Sequence, residues 1–178
     1  MSRFENGVKK QNLLMAILAA ITVVAVCVTV WALFFRDTNP VLTPDYAPQK
    51  EEQHAETIPG DTGEKMETPA GGGSVSLTYA REVTIDLSEE KAKLMFANPG
   101  KSNQDMVLQI VIQDTVIVQS GTLKPGNQVT TLELLSGAAK KLSAGTYEGK
   151  FNVLYYNQET GEKAIVNTEI PITITVKD

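Results

Sequence analysis

The sequence GTYEGKFNVLYY, residues 145–156, defines the β-rich part of this chain. Aromatic or apolar side chains recur at alternate positions, at Tyr147, Phe151, Val153 and Tyr155, with Gly149 in the same phase. Successive side chains of a β-strand point to opposite faces of the sheet, so this alternation indicates a strand with one face turned toward a core. We therefore predict a strand over residues 145–156.

The same alternation continues on both sides of this strand, interrupted by turn residues. Further strands are predicted at residues 74–79, 82–87, 91–97, 106–113, 116–120 and 128–134, and in a last segment that ends at 176. Turns are predicted at residues 98–100 and 124–127, where proline fixes φ and glycine tolerates positive φ. Pro171 cannot donate to a β-ladder, so the last strand is expected at a sheet edge or with a local bulge.

Seven or eight short strands within about 105 residues predict an all-β fold, a two-sheet antiparallel sandwich formed by residues 74–178. No long helical period interrupts this part of the chain. The predicted core side chains are Phe96, Leu108, Ile110, Phe151, Val153, Ile172 and Ile174.

Two short motifs resemble those of immunoglobulin-like domains. Leu142-Ser-Ala-Gly-Thr-Tyr147 resembles the tyrosine corner of immunoglobulin-like and fibronectin-type sandwiches, and Phe96-Ala-Asn-Pro-Gly100 resembles a strand-to-loop step of adhesion-related domains on bacterial surface proteins. The resemblance implies a seven- to eight-stranded Ig-like sandwich and a structural role for Tyr147. Residues 74–178 contain neither cysteine nor tryptophan, so the similarity is to disulfide-free bacterial relatives.

The 23 uncharged residues from Leu13 to Phe35 predict a transmembrane helix, roughly 34 Å long and so sufficient for a hydrocarbon core of about 30 Å. Residues 1–12 carry Arg3, Lys9 and Lys10, which places the N-terminus in the cytoplasm. The rest of the chain is then extracytoplasmic, and the protein is predicted to be a single-pass protein of the cell membrane.

Two alternatives to this anchor are a cleaved signal peptide and a lipoprotein. The apolar run is longer than a signal-peptide core and is not followed by a small-x-small cleavage site. Val24-Ala-Val-Cys27 resembles a bacterial lipobox, but Val26 stands where that motif needs glycine or alanine. Ala16, Ala19 and Ala20 allow close packing of two such helices, which leaves a homo-oligomer through the transmembrane segment open.

Residues 36–73 form a proline-, glutamate- and glycine-rich segment that we predict to be a disordered linker. It contains Pro40, Pro44, Pro48, Pro59 and Pro69 and few large apolar residues. The single histidine, His54, lies here among acidic residues and is interpreted as part of a solvated spacer.

Charge and residue types argue against several functions. The net charge is −5, and residues 74–178 hold ten basic against twelve acidic residues, which disfavours binding to nucleic acid. The domain lacks histidine, and Cys27 lies inside the predicted span, so a nucleophile–histidine pair or a zinc site is not available. We predict a non-enzymatic protein without catalytic residues, metal ligands or a cofactor.

An anchor followed by a sandwich predicts a binding or assembly module that presents an Ig-like domain to a protein or cell-envelope partner. The binding residues are not identified by the sequence. One alternative is an accessory subunit of a secretion, transfer or transport complex that contacts its partners through the transmembrane helix. A second alternative is carbohydrate binding, for which Tyr79 and Tyr156 are the candidate exposed aromatic residues.

Overall fold

The computed structural model describes residues 15–30, 43–68 and 72–178. The chain divides into two compact units, Met1–Thr38 and Asn39–Asp178. In the first unit, residues 15–30 form a helix, α1, whose side chains are exposed. Thr22 and Thr29 donate their hydroxyls to the carbonyls of Leu18 and Ala25, one turn earlier. This is the arrangement that allows a threonine in an apolar helix without an unpaired hydroxyl.

The predicted transmembrane segment, residues 13–35, extends past both ends of the described helix. The remaining residues of the predicted segment, 13–14 and 31–35, lie outside the described part of the chain. The predicted cytoplasmic residues 1–12 lie outside it as well. Within the described ranges, no helix has both the length and the apolar character needed to cross a membrane.

The second unit is built almost entirely from β-strands. They are β1 (Glu56–Thr57), β2 (Thr78–Tyr79), β3 (Glu82–Asp86), β4 (Lys91–Asn98), β5 (Gln104–Ile112), β6 (Thr115–Gln119), β7 (Asn127–Glu133), β8 (Gly145–Asn157) and β9 (Lys163–Lys177). A short 3-10 helix spans Ala139–Lys141, between β7 and β8. β5 and β6 form a hairpin in which Gln113 and Asp114 both have positive φ, as a two-residue type I′ turn requires.

The strands form one curled sheet in the order β1-β7-β4-β3-β9-β8-β5-β6, and β2 pairs with β4 beside β3. The sheet curls far enough that its two sides meet, because Val118 of β6 bridges to Leu134 and the N–H of Leu135 donates to the carbonyl of Ile117. The arrangement is consistent with an Ig-like β-sandwich. The prediction of a purely antiparallel sheet is wrong at one place, since β3 and β9 pair in parallel.

The core lies inside the curl and is formed by inward-facing residues of the seven strands β3 to β9. All seven side chains that the sequence places in the core are buried: Phe96, Leu108, Ile110, Phe151, Val153, Ile172 and Ile174. The rings of Phe96 and Phe151 meet edge to face, with centroids 5.9 Å apart and an interplanar angle of 71°. This pair connects β4 on one side of the sandwich with β8 on the other.

The prediction of a disordered linker is wrong for residues 43–68, which we call the strap. The strap follows one end of the sandwich and adds main-chain hydrogen bonds to it, including Ala47 N–H to Gly161, Glu52 N–H to Thr122 and Ile58 N–H to Gly126. Strand β1 lies within the strap and pairs with β7. The predicted linker residues 36–42 and 69–71 lie outside the described residues.

The strap is ordered because it covers apolar side chains that belong to the sheet. Val107, Leu154 and Tyr156 point away from the main core, yet all three are fully buried, with Ala47 of the strap packed against them. The Tyr156 hydroxyl donates to the carbonyl of Pro44 at 3.0 Å. The composition of the strap does not reveal this, because the apolar side chains that it shields belong to the neighbouring sheet.

Two glycines of the domain allow the strap to approach closely. A Cβ atom at Gly121 would lie 2.8 Å from the main chain of Glu51 and Glu52, and one at Gly100 would lie 2.8 Å from the Cα of Gly63. The N–H of Gly121 donates to the Glu52 carboxylate at 2.6 Å. The N–H groups of Gly100 and Gly121 therefore hold the strap, and they are accessible because neither residue has a side chain.

Candidate functional site

Strand β9 has two halves with different surroundings. From Thr173 to Lys177 it lies between β8 and β3. From Lys163 to Ile172, β8 is its partner on one side, and among the described residues no strand pairs with the other side. On that side the strap reaches only the first residue, where the N–H of Lys163 donates to the carbonyl of Asp45. The prediction that the last strand lies at a sheet edge or carries a local bulge is confirmed for its first half, which contains Pro171 and the bulge, whereas the second half lies inside the sheet. Pro171 lies in the open half, two residues before pairing with β3 begins, where a missing N–H interrupts no ladder on that side.

The open half of β9 carries an irregular stretch. Leu154 pairs with Asn167 and Tyr156 with Lys163, so three residues of β9 stand opposite the single residue Tyr155. Such a bulge bends the strand and leaves its extra residues unpaired with the neighbour. Ile165 is 101% exposed and Val166 is 66% exposed, the two highest values among the large apolar side chains of the described domain.

A cavity of about 470 Å³ lies beside the exposed pair of apolar residues. Its lining includes Ile165 and Val166 together with Gly73, Gln104 and Asn157. The surface therefore combines a protruding apolar pair with a recess next to it.

Charged side chains stand at both ends of the open segment. Lys163 Nζ donates to Asn167 Oδ1 at 2.9 Å and to the carbonyl of Ala164 at 3.2 Å. Glu169 forms an ion pair with Lys150 of β8 at 2.9 Å. The segment is thus cationic at its beginning and anionic near its end, with an apolar centre. We call residues 163–170 the open edge.

Tyr147, at the start of β8, has the hydrogen bonds of a tyrosine corner. Its hydroxyl donates to the carbonyl of Ser143 at 3.0 Å and accepts from the N–H of the same residue at 3.2 Å. These bonds connect the start of β8 to the loop that precedes it, as the resemblance to a tyrosine corner implies.

The Tyr147→Phe variant is expected to lose about 0.5–1.5 kcal/mol of unfolding free energy, because both hydrogen bonds to the loop disappear while the ring remains. Urea unfolding followed by circular dichroism measures this. Tyr46→Phe serves as the control, since Tyr46 is 63% exposed. Equal unfolding midpoints for Tyr147→Phe and the unchanged protein would show that the corner does not contribute.

Other recesses also lie on the domain, and two of them are large. One, of about 660 Å³, is lined in part by Asp61, Lys65 and Met66 of the strap and by Met95 and Lys101. The other, of about 460 Å³, lies at the β5–β6 turn. Among the described residues no group of three or more histidine, cysteine or acidic side chains is placed to hold a metal ion.

Asp61 connects the strap to the turn after β4. Its carboxylate accepts from the N–H groups of Gly100 and Gly63, and these bonds hold its pKa below the ordinary value of 3.8. A carboxyl whose pKa is lowered on folding stabilises the fold above its unfolded pKa, and this contribution is lost as the pH falls through the folded value.

We expect the Gly100 amide signal in NMR spectra to shift with the ionisation of Asp61, at a pH below about 4. Asp61→Ala should abolish this shift and weaken the acid dependence of stability in the same window. Glu64→Ala, which removes an exposed acid of the same strap, should leave the Gly100 titration intact. A Gly100 signal that titrates unchanged in Asp61→Ala would refute the assignment.

The structure corrects two interpretations of single residues. His54 is not part of a mobile spacer, because it lies in the ordered strap with its Nε2 3.6 Å from a carboxylate oxygen of Glu133. Tyr156 is not an exposed aromatic platform, because the strap buries it completely, and burial together with the charge of Asp45 raises its pKa to about 12. Tyr79 is half-buried.

The open edge was not identified from the sequence. The alternation of the last strand places Ile170, Ile172, Ile174 and Val176 in the core, and Ile165 falls on the opposite, outward phase. An isoleucine on the outward face of a predicted edge strand is a signal for this surface. Val166 is in the inward phase, and only the bulge explains its exposure.

No protein-family model matches the chain, and no curated protein matches it. Among solved structures it is similar to the periplasmic chaperone SfaE, with a TM-score of 0.33, 12% identity, and coverage of 58% of this chain and 56% of the chaperone. It therefore spans little more than half of that chaperone.

A fimbrial subunit and a pilin subunit, both from Escherichia coli, also match. One is AggA, the major subunit of aggregative adherence fimbriae type I, with a TM-score of 0.30, 12% identity, and coverage of 63% of this chain and 100% of AggA. The other is the CooA pilin subunit of enterotoxigenic Escherichia coli, with a TM-score of 0.27, 13% identity, and coverage of 59% and 99%. Similarities at this level do not establish a function.

Proposed function

We propose that the protein is a non-enzymatic, membrane-anchored assembly module of a bacterial cell surface, whose Ig-like domain binds a protein partner by strand addition at the open edge. The observation that carries this proposal is the first half of β9, where a strand edge without a neighbour among the described residues coincides with the exposed side chains of Ile165 and Val166.

Strand addition fits the chemistry of this edge. An edge strand presents unpaired N–H and C=O groups, and a second extended chain satisfies them through a new ladder. Exposed apolar side chains at the same place supply the burial that makes such pairing favourable in water. Soluble domains usually protect such edges with charges, prolines or bulges, and this edge carries Lys163, Pro171 and a bulge. Two large apolar side chains nevertheless remain exposed at its centre, and this exposure supports a binding role.

The proposal of a membrane anchor is supported by the amino-acid sequence. Leu13 to Phe35 is long enough for a bilayer, and the basic residues that precede it favour a cytoplasmic N-terminus and an extracytoplasmic domain. The ordered strap shortens the tether, because residues from Thr43 onward belong to the domain. Only residues 36–42 then separate the predicted span from the described part of the domain. An anchored chain meets partners in the same membrane at high effective concentration.

The proposal is tested with Ile165→Lys in the full chain, extracted from its native membrane and resolved on native gels. We expect the variant to lose the complex that the unchanged protein forms, because a charge replaces the apolar centre of the edge. Its thermal unfolding should be unchanged, since Ile165 is fully exposed.

The matched control is Thr175→Lys, which places the same charge on an exposed position of the same strand where β3 already covers the edge. This control should keep the complex. A complex that survives Ile165→Lys as well as Thr175→Lys would overturn the open edge as the binding surface.

A further inference from the structure

We propose that the occupant of the open edge is a second copy of this chain, paired antiparallel through residues 163–170 about a two-fold axis at Val166. This inference rests on the proposed function and specifies its partner. It would join β8 and β9 of both copies into one continuous sheet.

The charge pattern of the open edge is self-complementary. Lys163 and Glu169 each lie three positions from Val166, one on either side. Antiparallel pairing about Val166 therefore places Lys163 of each copy opposite Glu169 of the other. Opposite charges directly across a strand pair are favourable, whereas parallel pairing would place like charges together. The pattern favours the antiparallel two-fold arrangement over other pairings of this edge.

The shape of the surface is self-complementary as well. A two-fold interface uses the same patch on both copies, so a protrusion and the recess that receives it must lie next to each other. The exposed Ile165 lies at the rim of the 470 Å³ cavity that Gly73, Gln104 and Asn157 help to line. A two-fold axis at the neighbouring Val166 brings Ile165 of each copy to the cavity of the other. Both isoleucines then lose their contact with water.

The ends of the open edge define its length. Pro171 follows the segment and has no N–H to donate, and β3 occupies the same side of β9 from Thr173. At the other end, Glu162 bridges to Tyr46 of the strap. The N–H of Lys163 also donates to the carbonyl of Asp45 in the strap, so seven residues, Ala164 to Ile170, lie between features that stop a longer ladder. This length is ordinary for a strand.

Disulfide cross-linking of the full chain tests the pairing. In a Cys27→Ala background, Val166→Cys places two cysteines at the proposed axis. Residues directly opposite in an antiparallel pair have Cα atoms about 4.5–5.5 Å apart, which is within the range of a disulfide. We expect about tenfold more disulfide-linked dimer than for the control Thr175→Cys, which is exposed but lies where β3 covers the edge.

The register is tested by co-expressing Lys163→Cys and Glu169→Cys chains that carry different tags. Cross-links should form between unlike chains and not between like ones, because position 163 lies opposite position 169. Positions 163, 166, 169 and 175 are all at least partly exposed, and thermal unfolding of each cysteine variant checks that it folds. Cross-links between like chains at position 163, or equal dimer from Val166→Cys and Thr175→Cys, would overturn the pairing.

Failure of this inference and failure of the proposed function are distinguishable. If Ile165→Lys dissolves a complex of the full chain with a different protein and Val166→Cys forms no self-dimer, the edge binds a partner but the second copy is refuted. If Ile165→Lys changes no complex and Val166→Cys forms no dimer, both proposals are refuted.

Discussion

The fragment 74–178 is expected to be less stable than the fragment 39–178 by roughly 3–6 kcal/mol, because removal of the strap exposes three large side chains. Val107, Leu154 and Tyr156 are fully buried with the strap in place. A domain has about 5–15 kcal/mol of stability in total, so the loss is large enough to populate unfolded chains. Urea unfolding of the two fragments measures the difference. Coincident midpoints would show that the strap is a dispensable linker.

A single substitution separates loss of the strap from loss of chain length. Gly121→Ala should destabilise 39–178, because its new methyl group meets the main chain of Glu51 and Glu52. The same change should have no effect on 74–178, which lacks those residues. An equal effect of Gly121→Ala in both fragments would mean that the glycine acts within the sheet and that the close approach of the strap is irrelevant.

Phe151→Ala is expected to cost about 3–5 kcal/mol, because it leaves a cavity where the ring lies in the core. Phe151 is fully buried and packs edge to face on Phe96, which is fully buried too. Removal of both rings should cost less than the sum of the single losses, by about 0.5–1.5 kcal/mol. Chemical unfolding of Phe96→Ala, Phe151→Ala and the double variant measures this coupling.

Ile165→Ala is the matched control for these core variants. It also truncates a large apolar side chain of the domain, but that side chain is fully exposed. Its unfolding free energy should stay within about 0.5 kcal/mol of the unchanged protein. A loss from Phe151→Ala as small as that from Ile165→Ala would show that the ring pair does not hold the two sides of the sandwich together.

The strands and the core were predictable because both follow from local alternation. Every predicted strand from Lys91 onward is present within a few residues of its expected bounds. Phe151 and Val153 are buried as the alternation of β8 requires, and the predicted turn at residues 124–127 leads directly into β7, which begins at Asn127. Side-chain period and turn chemistry are properties of neighbouring residues, so a sequence displays them directly.

The strap was not predictable because its order depends on distant residues. Its own composition is that of a disordered segment, and its stability comes from covering Leu154 and Tyr156 and from the main-chain donors of Gly100 and Gly121. The parallel pairing of β3 with β9 was missed for the same reason, because these strands lie at opposite ends of the domain sequence. Alternation identifies a strand but does not name its neighbours.

To identify the open edge, both the local alternation of side chains and the pairing of distant strands are needed. The outward phase of Ile165 is visible in the sequence, but the exposure of Val166 depends on a bulge, and the open side of β9 depends on where β3 begins to pair. The edge is therefore a feature of topology as much as of sequence. The symmetric placement of Lys163 and Glu169 about Val166 points to pairing only because the topology leaves this side of the strand open.

The most direct test of the open edge as the binding surface is site-specific photo-crosslinking in living cells. A benzophenone amino acid is placed in the full chain at position 165 or, for comparison, at position 175. We predict an adduct from position 165 and none from position 175, and mass spectrometry should identify the captured chain as a second copy of this protein. Equal adducts at both positions, or none at position 165, would contradict the account.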